Sequence, residues 1–181
     1  MGGASRQVEA RRFARRGGRL LEAERLPDHG DRLFRAAYAL CGSRHDAEDL
    51  VQETYARVLR RPRFIRRDGD LAYLLRALRN TWIAMRRSED ARARTVELRE
   101  EVDWIVDHGA DPGITALEVS AAYAAIRELS DPLRETIVAV DVAGLSYREA
   151  ARALRVREGT IMSRLYRARE RVAEQLEGAA A

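Results

Sequence analysis

Lysine is absent from this chain of 181 residues; all 33 basic side chains are arginine. A GC-rich coding bias is the simplest source. The physical consequence is that every cation is a planar fork able to grip a phosphate or a base edge with two hydrogen bonds. Cysteine occurs once, at Cys41, so no intramolecular disulfide can form and a reducing compartment is expected. His29, His45 and His108 lie far from one another and from Cys41. That spacing suits no metal site, and no metal or other cofactor is expected. No apolar run reaches the length of a membrane span. The arginine-rich N-terminus lacks an apolar signal-peptide core. The expectation is therefore a cytoplasmic protein without membrane insertion. Proline (4) and glycine (12) are too scarce for collagen-like or low-complexity structure. No nucleophile motif, phosphate-binding glycine loop or metal cluster occurs, so the chain is not expected to be an enzyme.

What is present favours helices. Ala, Leu, Arg and Glu dominate, and these are good helix formers. With 46% hydrophobic and 34% charged residues, the chain can build cores and stay soluble. The expected fold class is all-α, with two small helical domains joined by an acidic linker. Residues 1–28 read as a flexible N-terminal arm and 29–88 as the first domain. Residues 89–114, with Asp111-Pro112-Gly113, read as the linker, and 115–177 as the second domain.

Net charge of +4 says little by itself, but its distribution is blocked. Residues 60–92 hold ten Arg against four acids; 93–131 hold three Arg against nine acids; 147–173 hold eight Arg against three. Two basic blocks around an acidic one fit two nucleic-acid contacts joined by a connector. Salt-bridged helix faces explain the same pattern, and charge alone does not separate the two.

In the first domain a helix over residues 31–41 ends at Gly42. A second, over 44–60, opens on Ser43 with Asp46 three residues later, a capping pattern. Ala47, Leu50, Val51, Thr54, Val58 and Leu59 follow helical spacing toward a core, while Asp49, Gln52, Glu53 and Arg57 occupy the opposite face. Pro62 stops this helix. A basic loop, Arg63-Phe64-Ile65-Arg66-Arg67-Asp68-Gly69, leads to a third helix over 70–87. Leu71, Leu74, Leu75, Leu78 and Ile83 form its apolar stripe; Arg76, Arg79, Asn80, Arg86 and Arg87 are the polar complement. Tyr73 and Trp82 nearby are either core aromatics or platforms for stacking unpaired bases.

In the second domain a helix over 117–129 is broken by Ser130-Asp131-Pro132, where Pro132 suits a first helical turn. Ser146-Tyr147-Arg148-Glu149 is a capping box. A short helix, a turn at Arg155-Val156-Arg157 and a final helix over 158–176 make a helix-turn-helix. The early part of its second helix offers Thr160, Ser163, Arg164 and Arg167 to phosphates or guanine edges. A left-handed turn at Arg155 would cost about 1 kcal/mol without glycine.

Ala47 to Tyr55, AEDLVQETY, closely resembles the polymerase-binding segment of extracytoplasmic-function (ECF) sigma factors. Leu74 to Arg87, with Arg79-Asn80, resembles their minus-ten-reading helix. LSYREAA at 145–151 and GTIMSRLYRAR at 159–169 resemble their fourth domain. The resemblance implies a specificity subunit of RNA polymerase, with 29–88 as sigma domain two and 115–177 as sigma domain four. It implies that Asp49, Leu50, Gln52 and Glu53 meet core polymerase. Phe64, Arg67, Arg76, Arg79, Asn80, Arg86 and Arg87 would contact the minus-ten element. Arg157, Thr160, Ser163, Arg164 and Arg167 would contact the minus-thirty-five element. Implied partners are core RNA polymerase, promoter DNA and an anti-sigma factor. The pattern departs at Ala84, usually acidic, and at Met162, often basic; both bear on which promoter is read. Two other classes fit parts of the chain: a stand-alone helix-turn-helix regulator, and a helical adaptor that never touches DNA.

Overall fold

The structure is a computed structural model that describes residues 18–21, 23–60, 64–66, 69–92 and 116–180. Seven α-helices account for most of them. They are α1 (Gly30–Cys41), α2 (Arg44–Arg60), α3 (Asp70–Arg92), α4 (Ala116–Glu128), α5 (Asp131–Ile137), α6 (Tyr147–Leu154) and α7 (Glu158–Ala180). A π-helical turn, Val138–Val142, continues α5. The all-α expectation holds with one addition, a two-stranded antiparallel pair of β1 (Gly18–Leu20) and β2 (Phe64–Arg66).

Each helix forms where its apolar spacing and its ends agree. In α1, Leu33, Ala36, Ala37, Tyr38 and Leu40 are buried. Gly42 ends it in the left-handed region (φ 85°), its N–H donating to the Tyr38 carbonyl at 2.8 Å. That conformation is nearly free for glycine and strained for other residues. Ser43 Oγ accepts the Asp46 N–H at 3.2 Å, and α2 buries Ala47, Leu50, Thr54 and Val58 at helical spacing. In α3 the buried stripe is Leu71, Leu74, Leu75, Leu78 and Trp82. This helix runs to Arg92, four residues into the expected linker; 93–115 lie outside the described residues. Arg134 terminates α4 from outside, donating to the carbonyls of Arg127 (2.6 Å) and Leu129 (2.7 Å).

The expectation of a flexible arm over 1–28 does not hold for its described part. Leu21 and Leu26 are buried at 5% exposure each, and short 3-10 turns at Ala23–Arg25 and Pro27–His29 lead into α1. Leucines spaced five apart have no helical period, so only their burial in the apolar cluster gives them a place.

The two helical groups share one apolar cluster, which runs from Leu33 and Leu74 to Val138 and Leu165. Tyr38 and Tyr123 meet edge to face with centroids 5.3 Å apart. Arg127 Nη1 donates to the Gly42 carbonyl at 3.0 Å. A Cβ on Gly42 would stand 1.9 Å from that nitrogen, so the contact itself requires glycine. On the other side Arg32 approaches Gly144 (φ 73°) in the same way.

Candidate functional site

The first candidate surface is the outer face of α2. Burial of Ala47, Leu50, Thr54 and Val58 turns Asp49 and Gln52 to solvent, with Glu53 half-exposed on the same side. Leu50 must be corrected: it is fully buried, and an apolar side chain inside the core cannot meet a partner while α2 stays folded. The acids have basic partners one turn away. His45 Nε2 lies 3.6 Å from Asp49, and Arg57 Nε donates to Glu53 Oε1 at 2.6 Å. The Arg57 hydrogen bond holds the Glu53 carboxyl below its ordinary range. Exposed pairs of this kind contribute little stability and exchange readily for an external partner. Leu59, expected inside, is 45% exposed near the end of the same helix.

The second group is the loop after α2 together with α3. Phe64 lies in β2, and its side chain is outside the described residues, as is the whole of Arg67. Asn80 and Arg87 are exposed and Arg76 half-buried. Arg79 and Arg86 are engaged by the second helical group. Arg79 Nε lies 2.7 Å from Glu135 Oε1 but off the hydrogen-bond line. Arg86 Nη1 donates to both Asp131 oxygens at 3.1 and 3.3 Å. An open cleft results, with Arg79, Arg86 and Arg87 on one wall and Asp131, Pro132 and Glu135 on the other. Trp82 is 4% exposed and belongs to the core; Arg86 and Arg134 lie 5.0 and 5.8 Å from its ring centroid. The acids opposite Arg79 and Arg86 come from about fifty residues further on, a pairing no local sequence signal carries.

The third group is the helix-turn-helix of α6 and α7. Ser146 Oγ accepts the Glu149 N–H, and the Glu149 carboxylate accepts the Ser146 N–H at 2.9 Å. The Ser146 hydroxyl, which donates to the Glu149 carboxylate, and the Ser146 N–H hold that carboxyl below its usual range. Arg155 takes the left-handed conformation (φ 58°, ψ 43°) and turns the chain into α7. Ile161, Leu165 and Ala168 are buried against the rest of the motif. This leaves Ser163 and Arg167 exposed and Thr160 and Arg164 partly so, all on the expected helix, with Arg157 exposed in the turn just before it. Arg167 Nε donates to the Ser163 carbonyl at 3.2 Å. Met162 and Tyr166, 55% and 69% exposed, stand among these arginines. Arg169 grips Asp141 with two hydrogen bonds, at 2.9 and 2.7 Å, tying α7 to the π turn.

No group of three or more metal-ligating side chains occurs among the described residues. No described helix is long and apolar enough to cross a membrane.

Comparison with known proteins matches residues 27–92 to Sigma-70 region 2 and residues 120–172 to Sigma-70 region 4. The ECF RNA polymerase sigma factor SigE of Mycolicibacterium smegmatis is 33% identical over 156 residues, 84% of this chain and 60% of that protein. The chain thus spans about three-fifths of that relative's length. EcfG of Rhodopseudomonas palustris, also an ECF RNA polymerase sigma factor, is 34% identical over 77% of this chain and 76% of its own length. Among solved structures, the sigma factor RpoE of Bartonella quintana, crystallised with the anti-sigma factor NepR, superposes with a TM-score of 0.65. It is 28% identical, and the match covers 84% of this chain and 91% of that one. CnrH, solved with the cytosolic domain of CnrY, shares the fold at a TM-score of 0.57 and 21% identity, over 93% of this chain and 89% of that one. With both regions matched in order and a relative aligned over three-quarters of either chain, this protein belongs to the ECF sigma factors of RNA polymerase.

Proposed function

We propose that this chain directs core RNA polymerase to specific promoters and assists their opening, acting in the cytoplasm while the polymerase supplies the chemistry. Residues 29–88 serve as domain two and 115–177 as domain four. Asp49, Gln52 and Glu53 on α2 dock on core polymerase. Arg76, Asn80 and Arg87 on α3, with the loop holding Phe64 and Arg67, meet the minus-ten element; Arg79 and Arg86 join them once released from Glu135 and Asp131. Arg157 in the turn before α7, with Thr160, Ser163, Arg164 and Arg167 on α7, meets the minus-thirty-five element. Unstacking a base costs a few kcal/mol, which stacking and a basic pocket offset at roughly 1–3 kcal/mol per base. A partner of the NepR kind, reported for a structural neighbour, supports regulation by an anti-sigma factor.

One observation carries this reading. The solvent-facing acid–amide face of α2 occurs in the same chain as an arginine-bearing helix-turn-helix. A stand-alone regulator has no use for the first, and an adaptor has none for the second. The test is run-off transcription with purified chain, bacterial core polymerase and a random duplex library. Promoter-specific transcripts that require the chain are expected; their absence, with no complex on core enzyme, overturns the proposal.

A further inference from the structure

The family match to region 2 begins at residue 27, yet folded structure begins earlier. β1 pairs antiparallel with β2 in the register Gly18↔Arg66, Arg19↔Ile65 and Leu20↔Phe64. Strand β2 lies inside the loop between α2 and α3, and without β1 it has no strand partner among the described residues. A lone strand has no ladder to fix its phase; β1 supplies one, with Ile65 buried beneath it. The exit of the same loop is held at Asp70, the first residue of α3, which is 4% exposed. Its Oδ2 accepts a hydrogen bond from the Arg19 guanidinium, with Arg25 Nε at 3.8 Å and His29 Nε2 at 4.0 Å. All three groups belong to the segment before α1. Leu21 and Leu26 are buried, and Tyr55 on α2 donates to the Leu26 carbonyl at 3.1 Å. The segment is thus fastened to α2, to the middle of the loop and to its end.

We propose that residues 18–29 are a working part of the minus-ten module, with Arg19 a positioning residue for the loop at 64–69. This rests on the functional reading above. Arg19 touches no DNA; it acts through β2 and Asp70. A buried carboxylate needs a closely paired cation, and Arg25 at 3.8 Å does not replace the hydrogen bond that Arg19 donates to Asp70, so loss of Arg19 slackens the loop at its exit.

The test uses full-length chain with core polymerase on a promoter selected from the random library, labelled with 2-aminopurine in the minus-ten element. Arg19→Ala is expected to slow opening by about tenfold or more, since misplacing a reacting group by an ångström has large kinetic effects. Binding to core enzyme and to the isolated upstream half of the promoter should stay within about twofold, both surfaces lying on other elements. Arg19→Lys should recover part of the loss by restoring the cation. Asp70→Asn, which keeps the volume of the buried group, should reproduce the defect if Arg19→Ala folds poorly. Normal opening by both Arg19→Ala and Asp70→Asn overturns the inference while leaving the functional reading intact. Equal loss of opening, core binding and upstream binding also overturns it, because that marks general destabilisation. A wild-type chain that opens no promoter overturns the functional reading, and this inference with it.

Discussion

Arg155 occupies a left-handed backbone position at the tightest turn of the helix-turn-helix, a conformation that penalises a Cβ by roughly 1–2 kcal/mol. Its side chain is exposed, so little packing is lost on truncation. Arg155→Gly is expected to stabilise the chain by about 1 kcal/mol, less the extra freedom glycine gains when unfolded; urea unfolding measures it. Nine residues earlier, Ser146 caps α6, and Ser146→Ala should cost about 1 kcal/mol. The pH dependence follows from Glu149, whose carboxyl is held below its ordinary value of 4.5, chiefly by the Ser146 hydroxyl. A carboxyl depressed on folding adds stability that is fully present above the unfolded value and is lost as pH falls through the folded one. The gap between wild type and Ser146→Ala should therefore narrow below pH 4.5. A gap that widens there contradicts the assignment. The Arg155 turn and the Ser146 cap are both legible in sequence, because capping and turn chemistry act within four residues.

At the scale of the element, α2 separates fold from function by face. Leu50 and Asp49 are sequence neighbours, yet one is fully buried and the other exposed. Leu50→Ala should destabilise by about 2–5 kcal/mol, seen as a fall in the thermal midpoint. Asp49→Arg with Glu53→Arg should leave helicity by circular dichroism unchanged and abolish retention on core polymerase. If that double variant unfolds instead, the face is structural. Helix α7 divides in the same way. Arg164→Ala with Arg167→Ala should lower affinity for duplex DNA and flatten its salt dependence, because each lost phosphate contact removes about one unit of the salt slope. Periodicity predicts which face is buried in both helices. It misplaces Leu59, 45% exposed at the end of α2, since a helical stripe outlasts the partner that covers it.

Across the whole molecule, the second helical group lies against α1 and α3 and engages two arginines expected to face DNA. While Arg79 is paired with Glu135 and Arg86 with Asp131, each guanidinium has a carboxylate competing with a phosphate for its charge. The Arg79 side chain remains 31% exposed and its Nε makes no hydrogen bond to Glu135, so the pair is worth about 1 kcal/mol or less. Glu135→Ala with Asp131→Ala should loosen the closed arrangement. Small-angle X-ray scattering should then show a larger radius of gyration for the double variant than for wild type. An unchanged radius would mean that the apolar contacts and the Arg127–Gly42 bond suffice to hold it closed.

Helix positions, the capping box, the strained turn and the two arginine-rich blocks were determined by the sequence alone, because each depends on residues within a turn or two of one another. Tertiary structure decided the rest. Only packing could show that residues 18–29 form a strand and a buried anchor, and that Arg79 and Arg86 are matched by acids on α5. The physical reason is range: helical period and capping are local and leave a pattern in the chain, whereas a strand partner or a buried counter-charge is chosen by whatever the fold brings alongside.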